Sequence, residues 1–335
     1  MVFVTGGTGF VGSHLLFNLV SQGRAVRALK RSQSDTSRTK RIFSYYSDDY
    51  ETLFSKIEWV EGDLLDIYSL DEAMKGISRV FHCAGVVSFS KTDNALMSKT
   101  NADGTANLVN AALENNIEKL CHVSSIAAIG SGEPGETIDE DTLWRTSRKN
   151  SGYAKSKYYS EQEIWRGAAE GLNTVVVNPS VIIGPGSSES LIEGLLDRMP
   201  NGFNFYTLGV NGFVDVRDVV TTMITLMDGD FHDERYIVSS ENVSYRDILN
   251  YITDTLGMKR PRARAGRFLT ELAWTTEKLR TMITGRKPGF TKETARISQN
   301  LVTFSNKKIT NATGIQFIPV SESVKFVCDT IRGTK

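Results

Sequence analysis

The chain has 335 residues, enough to bury a substantial core as one large domain or two. Lys plus Arg and Asp plus Glu both number 39, so no charge excess points to nucleic acid or to an anionic membrane. No uninterrupted apolar run reaches the ~18 residues a spanning helix needs, and a glycine turn opening at Gly6 leaves no room for a signal peptide, so a cytoplasmic chain without a membrane span is expected.

An apolar run, Val2–Thr5, leads into glycines spaced Gly6-x-x-Gly9-x-x-Gly12, and a helix-compatible stretch, Gly12–Gln22, follows. A strand, a tight turn and a helix N-terminus offer free backbone N–H groups and the positive dipole end to a pyrophosphate. A side chain at Gly9 would obstruct the phosphates, and one at Gly12 would hold the helix off the strand. A dinucleotide cofactor is the first expectation, and hydride chemistry the second.

The next strand, Ala25–Leu29, is followed by Lys30, Arg31 and Ser32 rather than by the acid that usually takes the ribose hydroxyls. A guanidinium fits a phosphate with paired N–H donors, so Arg31 favours NADP, with its 2′-phosphate, over NAD. A solvated surface arginine is the plainer alternative. Strand Ile57–Glu61 precedes Gly62-Asp63-Leu64, where the Asp63 carboxylate either accepts from an adenine amino group or caps the following helix, Leu70–Lys75. Strand Arg79–Cys83 precedes Ala84 and Gly85, small enough to let a ribose or phosphate approach the backbone. His82 reads as a buried structural histidine. Cys83, Cys121 and Cys328 have no metal-ligand spacing and read as reduced thiols; no metal is expected.

A helix over Asn101–Asn115 and a strand over Lys119–Ser124 lead to Ser125, and a further helix spans Tyr153–Gly171. Tyr153 and Lys157 are four residues apart and share a helix face. Of eleven tyrosines, only Tyr153 has a lysine four residues on. Glycine loop, serine, then Tyr-x-x-x-Lys is a far more specific order than any part alone. Hydride delivery to a carbonyl leaves an alkoxide that needs a proton. A free phenol, with pKa ~10, needs help to act near neutrality, and a neighbouring ammonium lowers it. Ser125 Oγ would donate to the substrate carbonyl. Asn101 is read either as an N-cap or as a group holding Lys157 through its backbone or a water.

Strand Thr174–Asn178 completes an alternation that argues for a parallel sheet covered on both faces. Gly184-Pro185-Gly186 is a turn cluster. Phe213–Asp218 is expected to open a helix through Met227, and Arg235–Ser239 to return as a strand to the main sheet. The segment Phe268–Ile283, with Phe268, Leu272, Thr275, Leu279 and Met282 on one broad face, reads as a lobe helix packed on the core rather than lying on a membrane surface. The loops Val86–Asn94, Gly130–Asn150 and Ser187–Gly212 carry no decodable motif. Phe89, Phe203, Phe205 and Tyr206 are candidates for an apolar pocket or for core packing.

The set Thr5–Gly12, Asp63, Asn101–Thr105, Ser124-Ser125, Tyr153–Lys157, Asn178–Gly186 and Phe213–Asp218 resembles the extended short-chain dehydrogenase/reductases, and within the NAD(P)-dependent epimerase/dehydratase superfamily the dihydroflavonol-4-reductase-like branch. The similarity runs from residue 1 to about 325. It implies an α/β fold: a Rossmann-type doubly wound parallel sheet, residues 1–178 plus about 213–240, with a smaller substrate lobe, about 179–212 plus 241–335. It further implies that Gly6, Thr8, Gly9, Phe10, Val11 and Gly12 surround the pyrophosphate, that Asp63 and Leu64 flank the adenine, and that Pro179 and Val181 border the nicotinamide. Ala84, Gly85, Tyr153 and Lys157 join Arg31 in the cofactor site, and Ser125, Tyr153, Lys157 and Asn101 form the catalytic set. The implied activity is NADP-dependent reduction of a small carbonyl substrate, by a monomer or homodimer. An NAD(P)-dependent nucleotide-sugar epimerase and a non-catalytic NADP-sensing protein are the alternatives. Ile126-Ala-Ala128 after Ser125 lacks the Asp-Glu pair of the dehydratases, and Cys83-Ala84-Gly85-Val86 lacks the Thr-Pro of plant flavonoid reductases.

Overall fold

The computed structural model describes residues 1–133, 135–147, 150–186, 191–198, 202–284 and 291–333. Seven parallel strands form the central sheet: β1 (Val2–Thr5), β2 (Val26–Lys30), β3 (Ile57–Glu61), β4 (Arg79–His82), β5 (Lys119–Val123), β6 (Thr174–Pro179) and β7 (Glu234–Val238). Their order is β7-β6-β5-β4-β1-β2-β3. The chain therefore reverses direction across the sheet between β1 and β4, and a crevice opens there at the carboxyl ends of the strands. The β5 and β6 residues are buried throughout, as a parallel sheet covered on both sides requires.

The covering helices are α1 (Phe10–Ser21), α2 (Ser37–Ser44), α3 (Tyr50–Ser55), α4 (Ile67–Met74), α5 (Gly104–Glu114), α6 (Gly152–Ala169) and α7 (Val216–Asp228). One apolar layer joins Leu15, Leu16 and Leu19 of α1 to Val219 and Met223 of α7 over one face of the sheet. The other joins Leu70 and Met74 of α4, Leu108 and Val109 of α5 and Ile164 of α6. Lys119, only 5 % exposed, is a polar exception in this interior. Its Nζ donates to the Leu226 and Gly229 carbonyls at 2.7 and 2.8 Å, which satisfies the carboxyl end of α7 with a cation.

A second core gathers Ile183, Ile192, Phe203, Phe213, Ile248, Ile252, Val324 and Val327. A small sheet, Val181–Ile183, Val210–Asp215 and Glu241–Ser244, runs beside it. The stretch Phe213–Asp215, read as the opening of a helix, is instead the end of a strand; Asp215 caps α7 by accepting from the Arg217 N–H at 2.8 Å. The polar segment after β2, with no marked apolar period in the sequence, folds into α2 and α3. Ile42 and Phe43 of α2 are fully buried there.

One expectation is corrected outright. The helix Arg267–Thr284 does not bury the face read from the sequence: Phe268 is 81 % and Leu272 is 52 % exposed, while Thr270 is buried. The Leu279 and Met282 side chains of that face lie outside the described residues, as do residues 134, 148–149, 187–190 and 199–201 of the loops Gly130–Asn150 and Ser187–Gly212.

Candidate active site

The candidate residues converge on one edge of the sheet. Gly6 follows β1, Arg31 follows β2, Asp63 follows β3, Ala84 and Gly85 follow β4, Ser125 follows β5, and Pro179 ends β6. Chain order scatters these positions; the parallel sheet aligns them.

The glycine loop is a tight backbone cradle. Gly6 adopts φ +71°, and a Cβ there would stand 2.5 Å from the Ala84 nitrogen. The Gly9 N–H donates to the Gly6 carbonyl at 2.9 Å. A Cβ on Gly12 would stand 2.1 Å from that same Gly6 oxygen. Gly12 therefore serves the loop's own closure, rather than only the approach of helix to strand. Ser13 Oγ ties the loop down by donating to the Gly9 carbonyl at 2.7 Å. Gly9 caps α1 with no side-chain hydrogen bond, and the first turn holds no acidic residue. Thr8, Phe10 and Val11 are half-buried around it. Phe10 packs edge-on to His14, whose Nε2 lies 3.1 Å from the Pro185 carbonyl, so the Gly184-Pro185 turn seats against α1.

Arg31 is exposed and forms no salt bridge among the described residues; its N–H donates to Ser34 Oγ at 3.2 Å. Asp63 is not the helix cap. Its carboxylate accepts from the Leu65 N–H at 2.9 Å, while Asp66 caps α4. Leu64 is buried, and its carbonyl accepts from Asn107 Nδ2. His82 is the structural histidine expected: it lies between Thr5 and Thr105 hydroxyls at 2.7 and 2.9 Å, and burial pushes its pKa down to about 3.

Around Tyr153 the structure brings four groups together. Lys157 is 5 % exposed, and its Nζ donates to the Val123 carbonyl at 2.9 Å. Gly85 leaves room for it: a Cβ there would lie 3.2 Å from Nζ and 3.4 Å from Asn101 Oδ1. Ser125 lies beside the Tyr153 phenol and holds its pKa down, while its Oγ accepts from the Ala127 N–H at 3.2 Å. Phe89 meets the Tyr153 ring edge-on at 5.9 Å. Of the other proposed pocket aromatics, Phe203 belongs to the second core, Phe205 is exposed and Tyr206 lies under the Arg246 guanidinium.

The electrostatics differ from expectation in one respect. Burial raises the Tyr153 pKa above its ordinary value, and the group that opposes this is Ser125 rather than Lys157. Lys157 itself is lowered to about 8 by burial, with Glu161 and Cys83 opposing. Near neutrality the phenol is thus a protonated acid beside a largely protonated lysine.

Asn101 is not an N-cap. The helix begins earlier, at Asn94–Met97, and widens into a π turn over Ser98–Asp103 before α5. The wide turn carries Asn101 inward, as such turns often do at functional sites. Its side chain accepts from the Val86 N–H at 2.7 Å, donates to the Val86 carbonyl at 2.9 Å and donates to Ser156 Oγ at 3.0 Å. Replacing it with Ala strands both Val86 backbone groups and is expected to cost about 1–3 kcal/mol in a denaturant melt.

Sequence reading missed Glu161, Asn178 and Arg235 as parts of this site. Glu161 is 1 % exposed, accepts from Asn178 Nδ2 at 2.5 Å and lies 3.7 Å from the Arg235 guanidinium. Its signal was available: it lies four residues beyond Lys157, on the same helix face.

The profile of the NAD dependent epimerase/dehydratase family matches residues 2–239. The chain belongs to that family. It is an NAD(P)-dependent oxidoreductase of the extended short-chain dehydrogenase/reductase type, with a Rossmann-type sheet. It is 32 % identical to a putative dihydroflavonol 4-reductase of Synechocystis sp. over 328 residues, 93 % of this chain and 89 % of the relative. The crystal structure of gox2253 superposes with a TM-score of 0.80 at 29 % identity, covering 100 % of this chain and 98 % of that one. A UDP-glucose 4-epimerase of Thermotoga maritima, solved with UDP-glucose, has a TM-score of 0.76 at 18 % identity, covers 99 % of each chain and shares the fold. Among the described residues no helix is long and apolar enough to cross a membrane.

Proposed function

We propose that this oxidoreductase uses NADP to reduce a small carbonyl substrate, with Tyr153 as the general acid. The observation that carries the reading is the meeting at the end of β5 of Ser125, the half-buried Tyr153 and, one helical turn on, the buried Lys157. The residues fit a dinucleotide: the α1 N-terminus lacks a side-chain cap, and Gly6, Gly9 and Gly12 keep side chains out of the loop before it. Gly6, Thr8, Gly9, Phe10, Val11 and Gly12 would hold the pyrophosphate, Asp63 and Leu64 the adenine, and Ala84, Gly85, Pro179 and Val181 the ribose and nicotinamide side. When bound there, a dihydronicotinamide would supply the hydride that reaches the carbonyl carbon. Ser125 donates to the carbonyl oxygen, and Tyr153 transfers its proton to that oxygen to complete the alcohol. The Lys157 ammonium stabilises the phenolate left behind. Asn101 keeps the Val86 loop and Ser156 in place beside them. In this assignment residues 1–178 with about 213–240 form the cofactor domain, and about 179–212 with 241–335 the substrate lobe.

The NADP preference rests on Arg31, an exposed guanidinium without a carboxylate partner among the described residues, at the end of β2. Arg31→Asp is expected to reverse the NADPH/NADH affinity ratio in a fluorescence titration. An unchanged ratio would remove Arg31 from the phosphate site. A screen of aldehydes and ketones with the preferred dinucleotide tests the reductase itself. Tightly held NAD with sugar interconversion, and no net turnover of added dinucleotide, would instead favour an epimerase.

A further inference from the structure

We infer that Glu161 is a positioning residue for this site, supplying the counter-charge to Lys157 and fixing the Ser125 backbone through Asn178. The inference rests on the reductase reading for its consequence in catalysis, but its physical content concerns the protein alone.

A carboxylate 1 % exposed is costly to bury and persists only where its surroundings compensate it. Glu161 contacts Asn178 and Arg235. One Asn178 amide N–H donates to its Oε1 at 2.5 Å, and the other donates to the Ser125 carbonyl at 3.0 Å. Two acceptors on the same nitrogen fix the amide's orientation, because a flip would set its oxygen against a carbonyl and a carboxylate. The carboxylate therefore anchors the residue whose hydroxyl meets Tyr153. Arg235, the cation across from Glu161 on β7, is largely committed elsewhere. Its Nε donates to the Glu140 carbonyl at 3.0 Å and its Nη2 to the same oxygen at 2.5 Å, leaving a 3.7 Å contact to Glu161. Lys157, also buried, stands one turn back on the same helix, α6.

The other titratable groups near Lys157 are Tyr153 one turn before it on α6, whose phenol burial keeps protonated, Cys83 after β4, His82 on β4 and His122 on β5. Burial keeps both histidines neutral and the Cys83 thiol protonated, so none carries a charge near neutrality. Glu161 is the anion that opposes the desolvation of Lys157, and burial pushes its own pKa up while Ser124, Asn178, Arg235 and Lys157 hold it down.

Glu161→Gln keeps the shape and the acceptor for Asn178 but removes the charge. In the cofactor-free protein, NMR titration of the Lys157 Cε resonance, assigned with Lys157→Arg, is expected to show a midpoint lower by about one pH unit or more than in wild type. The alkaline limb of kcat/KM for carbonyl reduction should move down by the same amount, since it reports the free enzyme. A Lys157 midpoint unmoved in a folded Glu161→Gln protein would overturn the inference. Should that variant fail to fold, the wild-type Glu161 carboxyl resonance decides: it is expected to be ionised throughout the Lys157 titration, and a protonated carboxyl there would equally overturn it. A wild type that binds NADPH but reduces no carbonyl defeats the reductase reading, while the NMR measurement still decides the part played by Glu161.

Discussion

Tyr153→Phe is expected to lower kcat for carbonyl reduction by about 10²–10⁴-fold, the range for loss of a positioned general acid. NADPH affinity should change little, because the phenol ring and its edge contact with Phe89 remain. The variant removes one oxygen and no packing. Ser125 lies beside that oxygen and holds the phenol pKa down, so Ser125→Ala should fall in the same direction. The two losses should not add, since each variant breaks the same pair. Wild type should also lose kcat/KM as pH rises past about 8, where the Lys157 ammonium of the free enzyme gives up its proton. A Tyr153→Phe protein with full turnover would end the general-acid assignment.

The second large effect is expected at Gly12. An added Cβ would stand 2.1 Å from the Gly6 oxygen and 2.7 Å from the Gly6 carbonyl carbon, both backbone atoms. Gly6 cannot retreat, because it already sits against the Ala84 nitrogen in a left-handed conformation. Gly12→Ala should therefore destabilise the fold by at least the upper part of the ~1–3 kcal/mol range for overpacking, read as a lower Tm. It should also abolish measurable NADPH binding, because the distorted loop is the proposed pyrophosphate cradle. Gly266→Ala is the control: open space surrounds its Cβ position, and it should leave stability within about ±0.5 kcal/mol and binding unaltered. A Gly12→Ala protein that binds NADPH like wild type would separate the loop from the cofactor.

Much of this architecture is legible in the chain itself. The six strands read from residues 1–178 lie within a residue of β1 to β6, because buried parallel strands leave short apolar runs between turn residues. The glycine spacing and the Tyr153–Lys157 pair were visible because rigid local geometry ties them to fixed intervals. Other features depend on what tertiary contacts do to ambiguous segments. Ser37–Ser44 looks like a polar loop until Ile42 and Phe43 find the core. Phe213–Asp215 could serve either strand or helix, and pairing with Val181–Ile183 decides for the strand. The π turn at Asn101 leaves no mark on residue spacing. Glu161 and Asn178 come together only because α6 packs beside the end of β6, 17 positions apart in the chain. The helix Arg267–Thr284 shows the converse: an apolar face in the sequence does not require that the fold bury it.

The most direct measurement of the central claim is a crystal structure of the protein with NADP⁺. The expected result is the pyrophosphate along Gly6–Gly12 and the nicotinamide ring facing the Tyr153 hydroxyl, with the Lys157 ammonium beside the same ring's ribose. A nicotinamide bound away from Tyr153, or a Tyr153 hydroxyl turned out of the cleft in the complex, would contradict it.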